Sequence, residues 1–373
     1  MIRSATLKLR TSSEVERVLA HTLDLCRGLY NSALEERIKA YKVFGKSPSY
    51  FDQCKSLTVV RSEDEEYDAL DAWMTRLTSL KRLGLAYQAF FRRASLGEDP
   101  GFPRFKSRER FTTLVFGTQG WKLSCGKLRI PSLGLVLRYS GHIHRQGKHL
   151  GLRITKAGNG RWYASVLIDI GEAPPKIDAT NPVGIDVGLT TFATMSDGSE
   201  IANPRFANAA GEKLKGLQQT LSTKKRWSRR RQRAKVDLAR ASFKVANQRK
   251  NFMYNTVAGL LEKYDGFSVE DLDVRGLLAK DGKKAKGLHR SVSDASWATF
   301  VNILTYKAEE AGVAVMKVNP RGTSQRCSGC QTIVKKTLRD RVHNCSHCGL
   351  KLGRDHNAAI NILDLGLRSA DSP

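Results

Sequence analysis

Four cysteines near the C-terminus constrain this chain more than any other feature. Cys327 and Cys330 are separated by two residues in NPRGTSQRCSGC, and after fourteen more residues Cys345 and Cys348 repeat that spacing in CSHCGLKLGRDHNAAINIL. Two such knuckles present four thiolates tetrahedrally to one zinc ion, and a closed site of that kind is structural rather than catalytic. The helix-forming stretch behind them opens with Asp355. Ala359 and Ile362, at i+4 and i+7, share its face, so the acid points the same way as the core-facing side of the helix. A carboxylate placed there is costly to bury unless a cation meets it, and a divalent ion is the simplest one.

The charge balance sets the class of partner. Lys and Arg number 63 against 36 Asp and Glu among 373 residues, a net charge of +27. That excess favours a polyanion, most commonly nucleic acid. No membrane partner is expected: no apolar run approaches the roughly 20 residues of a spanning helix, and MIRSATLKLR lacks the apolar centre of a signal peptide. With four of the seven cysteines committed to zinc, Cys26, Cys54 and Cys125 form no framework, which points to a reducing cytoplasm.

Taken in order, residues 5–10 alternate as one strand, and Ser13 with Glu16 forms a capping box. Val15, Val18, Leu19, Leu23, Cys26, Leu29 and Tyr30 then recur at helical spacing, so a long helix runs to about Tyr41. A second helical block over 63–93 carries Leu70, Trp73, Met74, Leu77, Leu80, Leu85 and Phe90 as its apolar side. From 101 to 170 the texture becomes period-two. A basic loop, GFPRFKSRERF, interleaves Phe102, Phe105 and Phe111 with Arg104, Lys106, Arg108 and Arg110, a mixture suited to stacking on bases beside phosphate contacts. Four alternating stretches follow, with a hairpin turn at Gly158, Asn159 and Gly160. They predict an antiparallel β module, read as a barrel. Residues 171–182 form a linker.

In VGIDVGLTTFATMSDG, Val183, Ile185 and Val187 take one face of a strand while Gly184, Asp186 and Gly188 take the other, leaving Asp186 without neighbouring side chains. Such bare space suits a metal ion and a phosphodiester. Asp197-Gly198 turns the chain into a second strand. Between 213 and 250 there are 14 Lys or Arg residues and a single acid, Asp237, in a helix-forming composition. A solvated helix normally mixes signs; this one repels itself unless an anion lies along it, and Arg226, Arg229, Arg230, Arg231 and Arg233 are its densest part. In KYDGFSVEDL, Phe267 and Val269 face one way and Ser268 and Glu270 the other; the parity of Asp271 places it on the apolar side or past the strand end. A helix over 295–311 and the strand VAVMKV lead back to the cysteines.

Asp186, Glu270 and Asp355 thus come from strand, strand and helix, and can converge only where a metal offsets their repulsion. Two divalent ions about 4 Å apart, bridged by such carboxylates, suit in-line displacement at a phosphodiester, and Mg2+ suits an all-oxygen site.

In these residues the chain resembles the TnpB proteins of bacterial insertion sequences, relatives of the type V CRISPR effectors. The motifs, in order, are GIDVGLTTFAT, NQRKNFMYNTVAGLLEKYDGFSVEDL, TSQRCSGC, CSHCG and RDHNAAINIL. The resemblance implies a multidomain α/β chain. A RuvC-like nuclease domain of RNase H fold (181–326 and 350–373) would be split by the zinc ribbon (327–349), and a β-barrel wedge (1–12 and 103–180) would hold a helical recognition module (13–102). It implies Asp186, Glu270 and Asp355 as the catalytic triad, a transposon-derived guide RNA, a DNA target and a short motif beside that target. Two positions depart from the family pattern: Gln331 stands where such knuckles usually have Gly, and Gly353 where Asp is common. Competing readings are a guide-dependent repressor that no longer cuts, a DNA transposase and a structure-selective nuclease without RNA. The transposase is disfavoured by the order of the acids, Asp, Glu, Asp rather than Asp, Asp, Glu.

Overall fold

The computed structural model describes residues 1–274, 276, 285–337 and 340–370, and falls into two compact units, Met1–Glu172 and Ala173–Pro373. Among the described residues no helix is long and apolar enough to cross a membrane.

In the first unit the strands are β1 (Ile2–Arg10), β2 (Thr113–Phe116), β3 (Lys122–Ser124), β4 (Lys127–Ile130), β5 (Leu135–Ser140), β6 (Lys148–Lys156) and β7 (Trp162–Asp169). All neighbours are antiparallel, in the order β2-β6-β7-β1-β5-β4-β3. Alternation buries Leu7 and Leu9 of β1 and Trp162, Ala164, Val166 and Ile168 of β7 on one side. The expected barrel is not closed by hydrogen bonds, since β2 and β3 are edges that do not pair with each other. The reason is visible at β2, whose outward amide and carbonyl at Val115 are already met by the Thr78 hydroxyl, at 2.9 and 3.3 Å.

Helix α1 (Ser13–Phe44) lays Leu19, Leu23, Cys26, Tyr30 and Leu34 into this core. Its cap is Ser12, which accepts from the Val15 amide; Ser13 is already helical, and Glu16 instead accepts from the Thr11 hydroxyl. Helix α2 (Tyr50–Glu63) has no counterpart in the periodicity, because only Gln53 and Leu57 are buried. Polar contacts hold it: Gln53 accepts from Arg37 Nε at 2.8 Å and donates to the Ala33 carbonyl and the Glu36 carboxylate. The block expected over 63–93 is broken into Glu65–Asp68, Ala72–Thr75, a π-helical stretch Arg76–Lys81, and α3 (Arg82–Ser95). The wider π turn shifts the phase of the stripe, so Leu83 and Tyr87 are buried while Leu85, expected inside, is 53% exposed.

The second unit is built on a five-stranded sheet, β10-β9-β8-β11-β12. Strands β8 (Pro182–Val187), β9 (Thr191–Met195) and β10 (Glu200–Ala202) are antiparallel, while β11 (Gly266–Glu270) runs parallel to β8 and to β12 (Ala314–Val318). A parallel pair needs a crossover, and the long excursion between β10 and β11 contains α4 (Gly211–Ser222) and α5 (Arg229–Lys263). Met253, Val257 and Leu260 of α5, with Phe300, Ile303 and Leu304 of α7 (Trp297–Ala311), pack with Val183, Ile185, Phe267 and Val269. Helix α6 (Ala285–Ala295) precedes α7. Helix α8 (Arg354–Ala370) packs against β8, β11 and β12. The cysteine segment carries the hairpin β13 (Val342–Asn344) and β14 (Lys351–Gly353), which leads directly into α8.

Candidate active site and cysteine centre

Asp186 is the fifth residue of β8 and Glu270 the last of β11. The parallel register pairs Gly184 with Ser268 and Ile185 with Val269, which brings both carboxylates to the same end of the sheet. The face they share is not bare, as its small residues suggested: α8 lies on it. A Cβ at Gly184 would fall onto the Ala359 carbonyl and 2.6 Å from the Leu363 amide, and one at Gly366 onto Ser268 Oγ. Glycine at 184 therefore admits a helix backbone rather than a substrate. That approach brings Asp355, in the first turn of α8, within electrostatic reach of Asp186.

The three acids interact, and their partners differ. Burial, reinforced by the charges of Glu270 and Asp355, pushes Asp186 up to about 8, with Arg354 opposing. Burial also raises Glu270, against a hydrogen bond from Thr323 Oγ1 to its Oε1 at 2.6 Å. Arg354 holds Asp355 with Nε and a terminal nitrogen both 2.9 Å from Oδ1. Asp271 lies past the strand end, exposed.

The sulfurs of Cys327, Cys330, Cys345 and Cys348 lie within 4.8 Å of one another. A zinc ion with four bonds of about 2.3 Å needs its sulfurs about 3.8 Å apart, so the cluster fits it. Two of the pairs, Cys327 with Cys348 and Cys330 with Cys345, are at 3.6 Å. The Thr332 side chain and amide hold the Cys330 thiol low, whereas at Cys348 the Leu350 amide is outweighed by the neighbouring thiols, which push it up; four thiolates together would need a cation among them. Among the described residues this is the one group of three or more Asp, Glu, His or Cys donors gathered so closely; the three carboxylates stand further apart. Both knuckles close alike, the Gln331 amide donating to the Cys327 carbonyl and the Gly349 amide to that of Cys345, each at 2.9 Å. Gln331 thereby sits at φ 64°, the left-handed region that Gly349 enters freely at 77°.

Residues between the two centres were not singled out from the sequence. The buried Asn357 accepts from the Ser328 amide and donates to the Arg326 carbonyl. Asn361, also buried, donates to the carbonyls of Thr323 and Arg326, each at 2.8 Å. Thr323 thus touches Glu270 with its hydroxyl and α8 through its carbonyl. The signal was two asparagines four apart on an otherwise apolar helix face.

The basic candidates divide. In the first unit Arg104 is exposed, whereas Lys106 is half-buried beside the Tyr30 ring, with its backbone bonded to Asn31. Phe111 is 2% exposed, under the Arg82 guanidinium and against Tyr30, so it stacks in the core and not on a base. Phe102 meets Tyr87 and Phe90 edge-on, and Arg108 pairs with Asp24. In the second unit Arg226, Arg229, Arg230 and Arg233 are exposed, but Arg231 binds the carbonyls of Leu221 and Lys224 and so fastens α4 to α5.

Three family models match the chain: one described as Cas12f1-like, TNB domain, over 297–362, one as Probable transposase over 165–281, and one as Helix-turn-helix domain over 1–46. The last span folds here as β1 and one uninterrupted helix. A protein of Streptomyces pristinaespiralis provisionally named RNA-guided DNA endonuclease is 28% identical, across 99% of this chain and 90% of its own length. InsQ of Escherichia coli (strain K12), provisionally named likewise, is 28% identical across 98% and 92%. The CRISPR-associated endodeoxyribonuclease Cas12f1 of Sulfoacidibacillus thermotolerans is 26% identical across 54% and 50%. Among solved structures, the mini-RNA-guided endonuclease CRISPR-Cas_phi3 superposes with a TM-score of 0.53 over 98% of this chain and 92% of its own, a likeness of fold at 10% identity.

Proposed function

We propose, from the premise that this chain is a relative of the TnpB proteins, that it is an RNA-guided DNA endonuclease. It would cut next to a short motif with a transposon-derived RNA as guide. The observation that carries this reading is geometric: the parallel register puts Asp186 and Glu270 at one end of the sheet, and the close seat of α8 on Gly184 brings Asp355, in its first turn, towards them. In this reading Ala173–Pro373 is the RuvC-like nuclease body and Met1–Glu172 supplies wedge and recognition surfaces. Three carboxylates on rigid elements are a fitting all-oxygen donor set for Mg2+, and four thiolates for zinc.

Divalent ions bound there would supply Lewis-acid stabilisation to the attacking and leaving oxygens of a phosphodiester. Thr323 fixes the Glu270 carboxylate in one orientation, and Arg354 does the same for Asp355. Asp186 would have to release its proton to hold such an ion. The linkage has a definite sign: below about pH 8 a cation must displace that proton, and above it need not. The Mg2+ concentration for half-maximal cleavage should therefore fall as pH rises, by up to about tenfold per unit, and level off above about 8. A requirement flat from pH 6.5 to 8.5 would count against Asp186 as a ligand.

Sequencing the nucleic acid that co-purifies with the protein tests the guide. A discrete RNA is expected; protein stripped of it should not cut, and changing the RNA's 3′ segment should redirect the cut. Site-specific cleavage by RNA-free protein would instead favour the structure-selective nuclease. Guided binding without cleavage in Mg2+ would favour the repressor.

A further inference from the structure

At the tip of the α4–α5 hairpin an indole stands in solvent. Trp227 is 76% exposed, at φ 68°, a conformation costly for any residue with a Cβ. It is held there rather than left loose. The Ser228 amide donates to the Lys225 carbonyl and closes the turn, the Ser228 hydroxyl caps α5 by accepting from the Arg231 amide, and the Arg231 guanidinium grips the carbonyls of Leu221 and Lys224 at 2.7 and 3.1 Å. The Arg226 guanidinium lies 5.3 Å from the ring centroid. Lys225, Arg229, Arg230 and Arg233 are exposed around it, and Asp237 is the lone acid from 213 to 250.

An exposed, strained and rigidly mounted tryptophan adds nothing to the core. Its surroundings select its partner: dense positive charge disfavours basic or apolar surfaces and favours a polyanion whose repeat places flat rings between phosphates. We propose that Trp227 is a stacking platform for an unpaired or duplex-terminal nucleobase, with the flanking arginines on the adjoining phosphates. This rests on the proposed function, which supplies the nucleic acid. A lone ring on a convex tip offers a π-face and one N–H donor, so the contact is tolerant of base identity and supplies affinity rather than sequence reading.

The test compares Trp227→Ala, Trp227→Tyr, Trp227→Gly and Arg230→Ala, measuring affinity for the co-purifying RNA and for a short single-stranded DNA over a range of salt. Trp227→Ala should weaken binding of one of the two about 5- to 150-fold, and Trp227→Tyr should recover most of that. Because no phosphate contact is lost, the slope of log K against log salt should stay that of wild type, whereas Arg230→Ala should flatten it by about 1. Trp227→Gly relieves the positive φ, so its melting midpoint should not fall although it binds as weakly as Trp227→Ala. The strand whose affinity drops, RNA or DNA, is the one that stacks. Wild-type affinities for both strands in Trp227→Ala overturn the stacking role alone. Wild-type protein that binds neither strand at any salt overturns the proposed function with it.

Discussion

Alanine at Asp186, Glu270 or Asp355 should abolish DNA cleavage, by at least about 10³-fold, while affinity for RNA and target DNA stays within a few-fold of wild type. The asymmetry follows from when each carboxylate acts. A group that holds a divalent ion for the reacting phosphate works mainly in the transition state, whereas nucleic-acid binding would rest on many cationic side chains elsewhere. Asp186→Asn should add a second effect. The folded-state value of about 8 is above the ordinary carboxylate value of 3.8, so the charge costs stability as pH rises between them. In metal-free protein Asp186→Asn should raise the melting midpoint, hardly at pH 4 and most above pH 8, while cleavage is lost. Cleavage near wild type in any one of the alanine variants would remove that residue from the triad; a midpoint unmoved at pH 8.5 would mean that Asp186 is not desolvated.

Loss of zinc should be nearly as damaging. Four thiolates around one ion contribute on the order of 10 kcal/mol to a segment too small to fold alone. The damage should spread along identifiable bonds: from the first knuckle through the carbonyls of Thr323 and Arg326 to Asn357 and Asn361, and through the Thr323 hydroxyl to Glu270. Misplacing catalytic carboxylates by about 1 Å costs on the order of 100-fold in rate. Cys345→Ser should therefore lose zinc by elemental analysis, become protease-sensitive between 319 and 353, and cut at least about 100-fold more slowly. Asn361→Leu should keep its zinc and still cut poorly, which separates coupling from folding. Active protein free of zinc would refute the scheme.

The cysteine cluster was legible because two C-x2-C knuckles bring their thiols together locally, without reference to the rest of the chain. Strand parity was equally local: side chains alternate, so Val183 and Ile185 had to face opposite to Gly184 and Asp186, and they do. Neither rule says what covers a face. Gly184 looked like room for a ligand and is the seat of α8; Phe111 looked like a stacking ring and is core; Arg231 looked like a phosphate contact and ties two helices together. Helix α2 escaped notice because a buried Gln53 network, not an apolar stripe, secures it. The sequence by itself determined the four-cysteine cluster, the two carboxylate-bearing strand faces and the charge that favours a polyanion, since each depends on residue type and on near spacing. Only the tertiary structure decided which glycine is filled by backbone, which hydroxyl steadies Glu270 and which tryptophan is left in solvent. Those outcomes depend on distances between segments far apart in the chain, and chain spacing carries no information about them.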